Sequence, residues 1–424
     1  MKTRTHPSLV YDWDRYSRHG GNKLLGPRKI IFKNDETLRD GLQSPSAINP
    51  SLKRKLILLR CMQELGIEQA DLGLPGAGNR HFRDISRMLK AIIEEKMDIK
   101  PSCAVRTVVA DIEPIDRLQQ LYGIPIRADI FIGTSPIRQF VEGWSIRDII
   151  KKMRESIGWA RAHGIPAMFV TEDTTASKPD DVRRLYAEAI ELGAMAICLC
   201  DTCGRATPEA TNELVRFAIE HVIKPSGKKV GLGDDEKTIQ LHWHGHNDRG
   251  LGLANAFTAI AAGANVIHGT GLGLGERVGN VAMDQILINL KLLGLIDNDL
   301  AILGEYMQRI HDYTGAPFPP NYPMGRDAFR TGTGVHASAI IKALETGNRT
   351  VADLVYTGVP AHLIGREQEI EVGPMSGNSN VIYWLKKHGY RVTKKRINRI
   401  LTAAKDSDRL LTDRQLHALA RFTV

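Results

Sequence analysis

From about residue 29 to 294 the chain repeats one pattern: a short apolar run, a loop, then an amphipathic stretch. The apolar runs fall at 29–35, 67–74, 101–106, 128–134, 166–173, 194–201, 238–246 and 265–270. Short apolar runs bounded by turn residues read as buried parallel strands. The stretches between them read as helices. LKRKLILLRCMQELG (52–66) follows Asn49-Pro50-Ser51, a start signal, and stops at Gly66. In 145–164, Ile149, Ile150, Met153, Ile157 and Ala160 share one helical face. Eight strand–helix units in this length match the count and size of a (β/α)8 TIM barrel. A doubly wound open sheet shares the alternation, but eight units favour closure. Barrel chemistry sits in the loops after the strands, so residues just beyond each run matter first.

After 295 the pattern changes. The expected organisation is an N-terminal arm (1–28), a barrel (29–295), a helix and proline-rich linker (296–325), a small helical subdomain (326–384) and a basic helical end (385–424). The fold class is thus α/β, a barrel followed by a mainly helical C-terminal subdomain. The segment WDRYSRHGG near the start reads either as an arm crossing to a partner chain or as an unstructured tail.

Composition narrows the class. At 42% hydrophobic and 25% charged, the chain is ordinary globular protein, which excludes disorder. No run nears the roughly 18 apolar residues of a membrane span, and the N-terminus has no secretory apolar core. Five cysteines make no disulfide framework, so a reducing cytoplasm is expected. The formal charge of +9 points first to nucleic acid. However, residues 385–424 alone hold 11 Lys/Arg against 3 Asp, and the rest is nearly balanced. Within 391–424 the only aromatic is Phe422, so bases would find no stacking platform, and no nucleic-acid partner is expected.

Chemistry concentrates at three strand ends. LHWHGHNDRG (241–250) offers His242, His244 and His246 on one face of a strand, with Trp243 turned outward. Two imidazoles from one strand end make half of a metal site, or else the three form a set of hydrogen-bonded histidines. NDETLRDGLQSP (34–45) adds Asp40, a hard oxygen ligand, beside Arg39, which can clamp a carboxylate or an oxyanion. Only one strand separates these two ends in a closed barrel, so Asp40 can reach the centre that His244 and His246 face. HGTGLGLGERVGN (268–280) completes the ring with a five-glycine loop closed by Asn280. CLCDTC (198–203) lacks a second cysteine cluster and reads as a packed strand rather than a soft-metal site.

These motifs resemble the 2-isopropylmalate synthase and homocitrate synthase family, relatives of the hydroxymethylglutaryl-CoA lyase group. The resemblance is carried by TLRDGLQSP (37–45), GTSPI (133–137), Thr171–Asp173, DTCGRATPE (201–209), HGHNDRGLGLANA (244–256), GTGLGLGERVGN (269–280), GTGVHASAI (332–340) and GPMSGNS (373–379). It implies a divalent metal (Zn, Mn or Mg) and Claisen-type condensation of an acyl-CoA, acetyl-CoA first, with a 2-oxo acid. By the same resemblance, Asp40, His244, His246 and Asn280 are metal ligands, and Arg39 stabilises the developing alkoxide or enolate. Glu172 and His336 are the candidate bases. Gln43, Asp129 and Thr202 line the 2-oxo acid pocket, and Gly273, Gly275 and Glu276 meet the acyl-CoA. His336 would reach a partner chain's active site, so a homodimer is implied, with the subdomain completing the site.

Departures from the family pattern carry expectations of their own. Asp71 stands where a Glu often pairs with the catalytic Arg; one methylene shorter, its contact with Arg39 is expected to shift or pass through water. Asp129 replaces a His of leucine-pathway enzymes, which disfavours 2-oxoisovalerate. Gln368 replaces a Tyr of some relatives. With the chain stopping at 424, leucine feedback inhibition is not expected. The glycine loop lacks the cysteine of the lyase branch, which argues against cleavage of hydroxymethylglutaryl-CoA. A metal-dependent aldolase or lyase, and an inactive binding protein, are the alternatives.

Overall fold

Each apolar run becomes a strand. In the computed structural model these are β1 (Phe32–Asp35), β2 (Gln69–Asp71), β3 (Lys100–Arg106), β4 (Arg127–Gly133), β5 (Ala167–Glu172), β6 (Ala196–Asp201), β7 (Thr238–Gly245) and β8 (Val266–Gly269). The structure describes residues 31–421 without Asp234, together with Leu9; the expected arm otherwise lies outside the described residues. Every pairing is parallel, and neighbours follow the order β6-β5-β4-β3-β2-β1-β8-β7. Pairing of β6 with β7, from Ala196↔Gln240 to Asp201↔Gly245, closes the ring. The result is the (β/α)8 barrel that eight units imply.

Helices cover the strands because each carries one apolar face. The helix Ile146–Ala162 buries Ile149, Ile150, Met153, Ile157 and Ala160. It starts in a capping box: Ser145 Oγ accepts from the Asp148 amide, and the Asp148 carboxylate accepts from the Ser145 amide. Among the described residues, no helix is long and apolar enough to cross a membrane.

The described chain falls into two compact units. One comprises 31–299 with 305–317, and holds the barrel; the other comprises 300–304 and 318–421, with Leu9. The second unit is helical. Its helices are Gly334–Glu345, Arg349–Leu354, Asn378–Lys387, Lys394–Lys405 and Asp413–Arg421. The boundary expected at 384/385 falls inside the helix Asn378–Lys387. There Val381, Trp384 and Leu385 share one core with Ile400, Ala404, Leu411, Leu416 and Ala420, so the basic end is built into a fold rather than appended to one.

Asp35, the last residue of β1, is fully buried. Its carboxylate accepts from the Tyr306 hydroxyl at 2.9 Å and from the Thr37 amide at 2.8 Å. Burial outweighs these bonds and pushes its pKa from 3.8 up to about 6. A raised folded-state pKa gives stability that is fully present below about pH 4 and lost as pH rises through about 6. Asp35→Asn should remove this component. Between pH 4 and 7 the stability of wild type relative to the variant is expected to fall by roughly 3 kcal/mol, read from denaturant melts at fixed ionic strength.

Candidate active site

The carboxyl ends of the strands surround a cavity of about 140 Å³. Arg39, Asp40, Gln43, Asp129, Glu172, Thr202, His244, His246 and Glu276, all expected site residues, line it.

The turn after β1 is wired by its own backbone. Arg39 and Gly41 amides both donate to the Glu36 carbonyl, and the Glu36 amide donates to the Gly269 carbonyl of β8. This fixes Asp40 over the end of β7, where alternation turns His242, His244 and His246 inward. Asp40 Oδ2 lies 3.4 Å from His244 Nε2 and 3.6 Å from His246 Nε2, and all three side chains are buried. Donors sharing one ion at about 2.0–2.2 Å each stand roughly 3–3.6 Å apart. The triad therefore fits a divalent cation better than it fits mutual hydrogen bonds.

Burial disfavours charge on His244, but the Glu36 carboxylate at 2.8 Å and then Asp40 raise its pKa to about 9. Burial, and then the charge on His244, lower His246 to about 4, so it presents a neutral imidazole at neutral pH. Burial also opposes charge on Glu36, yet Arg39, His244 and His268 hold it well below the usual carboxylate range.

Arg39 is clamped. Its Nε donates to Asp71 at 2.7 Å and its Nη2 to Glu36 at 2.8 Å, while Nη1 lies 3.5 Å from Asp40. Of the two forms expected for the contact with Asp71, shifted or through water, the one through water is corrected: the contact is direct. The shorter side chain suffices because Asp71 ends β2, which pairs directly with β1. Burial pushes the Asp71 pKa up to about 7, against the pull of Arg39. Asp129 lines the cavity and is ion-paired. Both its oxygens accept from Arg127, at 2.6 and 3.1 Å, on the same face of β4.

The remaining expected residues fall as follows. Glu172 ends β5, lines the cavity, and has its pKa raised by burial, with Arg138 opposing. Thr202 Oγ1 accepts from the Asp173 amide. Asn280 pairs with His246 through backbone and donates from Nδ2 to the Leu274 carbonyl at 3.0 Å. The glycines let the loop wrap around it: a Cβ at Gly275 (φ +156) would stand 2.3 Å from Asn280 Nδ2, and one at Gly279 (φ +89) 1.9 Å from the Gly273 carbonyl. His336 belongs to the second unit, where its exposed ring stacks on Tyr356 at 4.0 Å. Gln368, also there, is buried near Asp353.

Three residues that organise the cavity escape the sequence reading. Glu36 binds Arg39, His244 and His268 at once. His268 of β8 joins it to His242 at 2.7 Å. Arg277 ties the loops after β6, β7 and β8 together, donating to the Thr202 carbonyl and to both oxygens of Asp248. A carboxylate right after β1 and a histidine on the inward face of β8 were the available signals. Cys198 and Cys200 also face the cavity, 3.7 Å apart.

The chain is similar to known proteins in sequence and fold. A family model described as HMGL-like matches residues 30–308. A probable 2-isopropylmalate synthase of Methanopyrus kandleri is 29% identical over 381 residues, covering 88% of this chain and 68% of the relative. A homocitrate synthase of Saccharolobus solfataricus is 28% identical, covering 88% of this chain and 75% of the relative. Homocitrate synthase AksA of Methanopyrus kandleri is 27% identical over 96% of this chain and 95% of its own. The crystal structure of Bacillus subtilis HMG-CoA lyase shares the fold, with TM-score 0.56 and 20% identity over 70% of this chain and 97% of its own.

Proposed function

From the premise that the chain belongs to the HMGL-like family, we propose that it condenses an acyl-CoA, acetyl-CoA first, with a 2-oxo acid and hydrolyses the thioester. The balance is acyl-CoA plus 2-oxo acid plus water, giving a 2-hydroxy dicarboxylic or tricarboxylic acid and free CoA. The observation that carries this reading is the convergence of Asp40, His244 and His246 beside the clamped Arg39. Synthase relatives along most of the chain support it.

Asp40, His244 and His246, with Asn280 beside them, would hold a divalent ion, which when bound polarises the keto group. Glu36 orients His244 by holding its Nδ1, leaving Nε2 for the ion. Arg39, with Nη1 toward the triad, meets the charge that develops on the keto oxygen. Glu172 takes the proton from the acyl methyl; burial raises its pKa toward the range of a working base. Gln43 and Thr202 orient the 2-oxo acid, and the loop through Gly273, Gly275 and Glu276 receives the acyl-CoA. His336 remains the second base candidate, reaching the partner's site in a homodimer. Sedimentation equilibrium at twice the 47.0 kDa chain mass checks that assembly.

The direct test is free-thiol release from acetyl-CoA by metal-loaded protein, across a panel of 2-oxo acids. Release that depends on both metal and 2-oxo acid is expected. No release with any acceptor, despite bound metal, would overturn the reading in favour of a lyase or a binding protein. A second prediction isolates Glu36. Glu36→Gln should weaken metal affinity by roughly 10–100-fold, measured by competition with a chelating dye, while leaving one metal per chain at saturation.

A further inference from the structure

The cavity at the carboxyl end of the barrel has two kinds of lining. Arg39 and Asp40 after β1, with His244 and His246 of β7, face the reacting keto group. From β3 to β6, alternation turns Ala104, Phe131, Met168, Val170, Cys198 and Cys200 inward. Cys200 stands beside His244 in the β6–β7 register, so this apolar wall begins next to the triad. Met168, Cys198 and Cys200 form one buried apolar cluster, with Val170 packed against it.

The charges near this wall are already committed. Arg127 spends Nε and Nη2 on Asp129, and Nη1 on Gln69 at 2.7 Å. The two guanidinium groups that line the cavity are equally engaged: Arg39 holds Asp71 and Glu36, and Arg277 holds Asp248 and the Thr202 carbonyl. A second carboxylate on the 2-oxo acid would lie near Asp129 and Glu172 with no uncommitted guanidinium among the described lining residues. A buried charge without a partner is costly, whereas an aliphatic group gains by leaving water for an apolar wall. Resting on the condensation reading, we infer that the 2-oxo acid carries a single carboxylate and a short aliphatic side chain, which lies against the wall from β3 to β6, and that Asp129 sets this choice by neutralising Arg127. The side chain is short because one cavity of about 140 Å³ holds it together with the keto end. The product is then a dicarboxylic, not a tricarboxylic, acid.

The probes are 2-oxovalerate and 2-oxoglutarate, equal in carbon number and differing in whether the far end is a methyl or a carboxylate. Each is titrated calorimetrically into full-length metal-loaded protein without acyl-CoA. 2-Oxovalerate is expected to bind roughly 100-fold more tightly, the scale of one unpaired buried charge. Asp129→Asn, which releases Arg127 for a substrate carboxylate, should close that gap to about ten-fold or less. Phe131→Lys sets a cation at a half-buried position of the same wall. It should narrow the gap likewise, and it keeps the test open if Asp129→Asn does not fold. The inference is overturned by 2-oxoglutarate binding as tightly as 2-oxovalerate to the wild type, by binding of neither, or by a gap unchanged in both variants. The condensation reading fails separately: 2-oxovalerate that binds but releases no thiol from acetyl-CoA would overturn that reading and leave the choice of acid standing.

Discussion

Asp40→Ala is expected to leave the protein folded but without a tightly bound divalent cation, and to reduce turnover far more than any neighbouring substitution. Asp40 supplies the one carboxylate in the triad, 3.4 and 3.6 Å from the two imidazole nitrogens. Without it His244 and His246 remain as imidazole ligands, with no carboxylate to offset the charge of the cation. Loss of an outer-shell partner costs roughly 10–100-fold in metal affinity, so loss of this ligand should exceed the upper end of that range. Thermal unfolding reads it independently of activity. Metal at about 100 times its dissociation constant should stabilise the wild type by roughly 2.7 kcal/mol and Asp40→Ala hardly at all. Equal stabilisation of both proteins would place the cation elsewhere.

Arg39→Lys should lower kcat by about 10²–10³ with little change in metal content. Lysine keeps the charge but not the fork. The guanidinium of Arg39 reaches Asp71 through Nε, Glu36 through Nη2 and the neighbourhood of Asp40 through Nη1. A point charge cannot hold two buried carboxylates and face the triad at the same time. Lysine is the informative substitution because alanine would strand Asp71, which is fully buried, and confound lost catalysis with lost stability. Steady-state kinetics with metal-saturated protein check it. An unchanged kcat with a raised KM would make Arg39 a substrate-binding residue rather than one that meets developing charge.

The barrel was legible because its strands are buried on both faces and read as unbroken apolar runs, each followed by a helix with one apolar face. β6 illustrates this, with all six residues buried. Asp40, His244 and His246 were legible by alternation and by their place at strand ends. Glu36 was not, because a carboxylate between Asp35 and Thr37 looks like turn chemistry until three basic groups converge on it. His268 hid inside an apolar run. The ion pair of Asp129 was not legible, because Arg127 stands two residues earlier on the same strand face and only the fold shows that it reaches both oxygens.

The central claim is that Asp40, His244 and His246 hold one divalent cation beside Arg39. Electron paramagnetic resonance of Mn²⁺ added to metal-stripped protein tests it most directly. The account predicts one bound Mn²⁺ per chain with imidazole nitrogen couplings, which diminish in His246→Ala and vanish with the bound ion in Asp40→Ala. Bound Mn²⁺ with no nitrogen coupling, or couplings that persist unchanged in both variants, would contradict it.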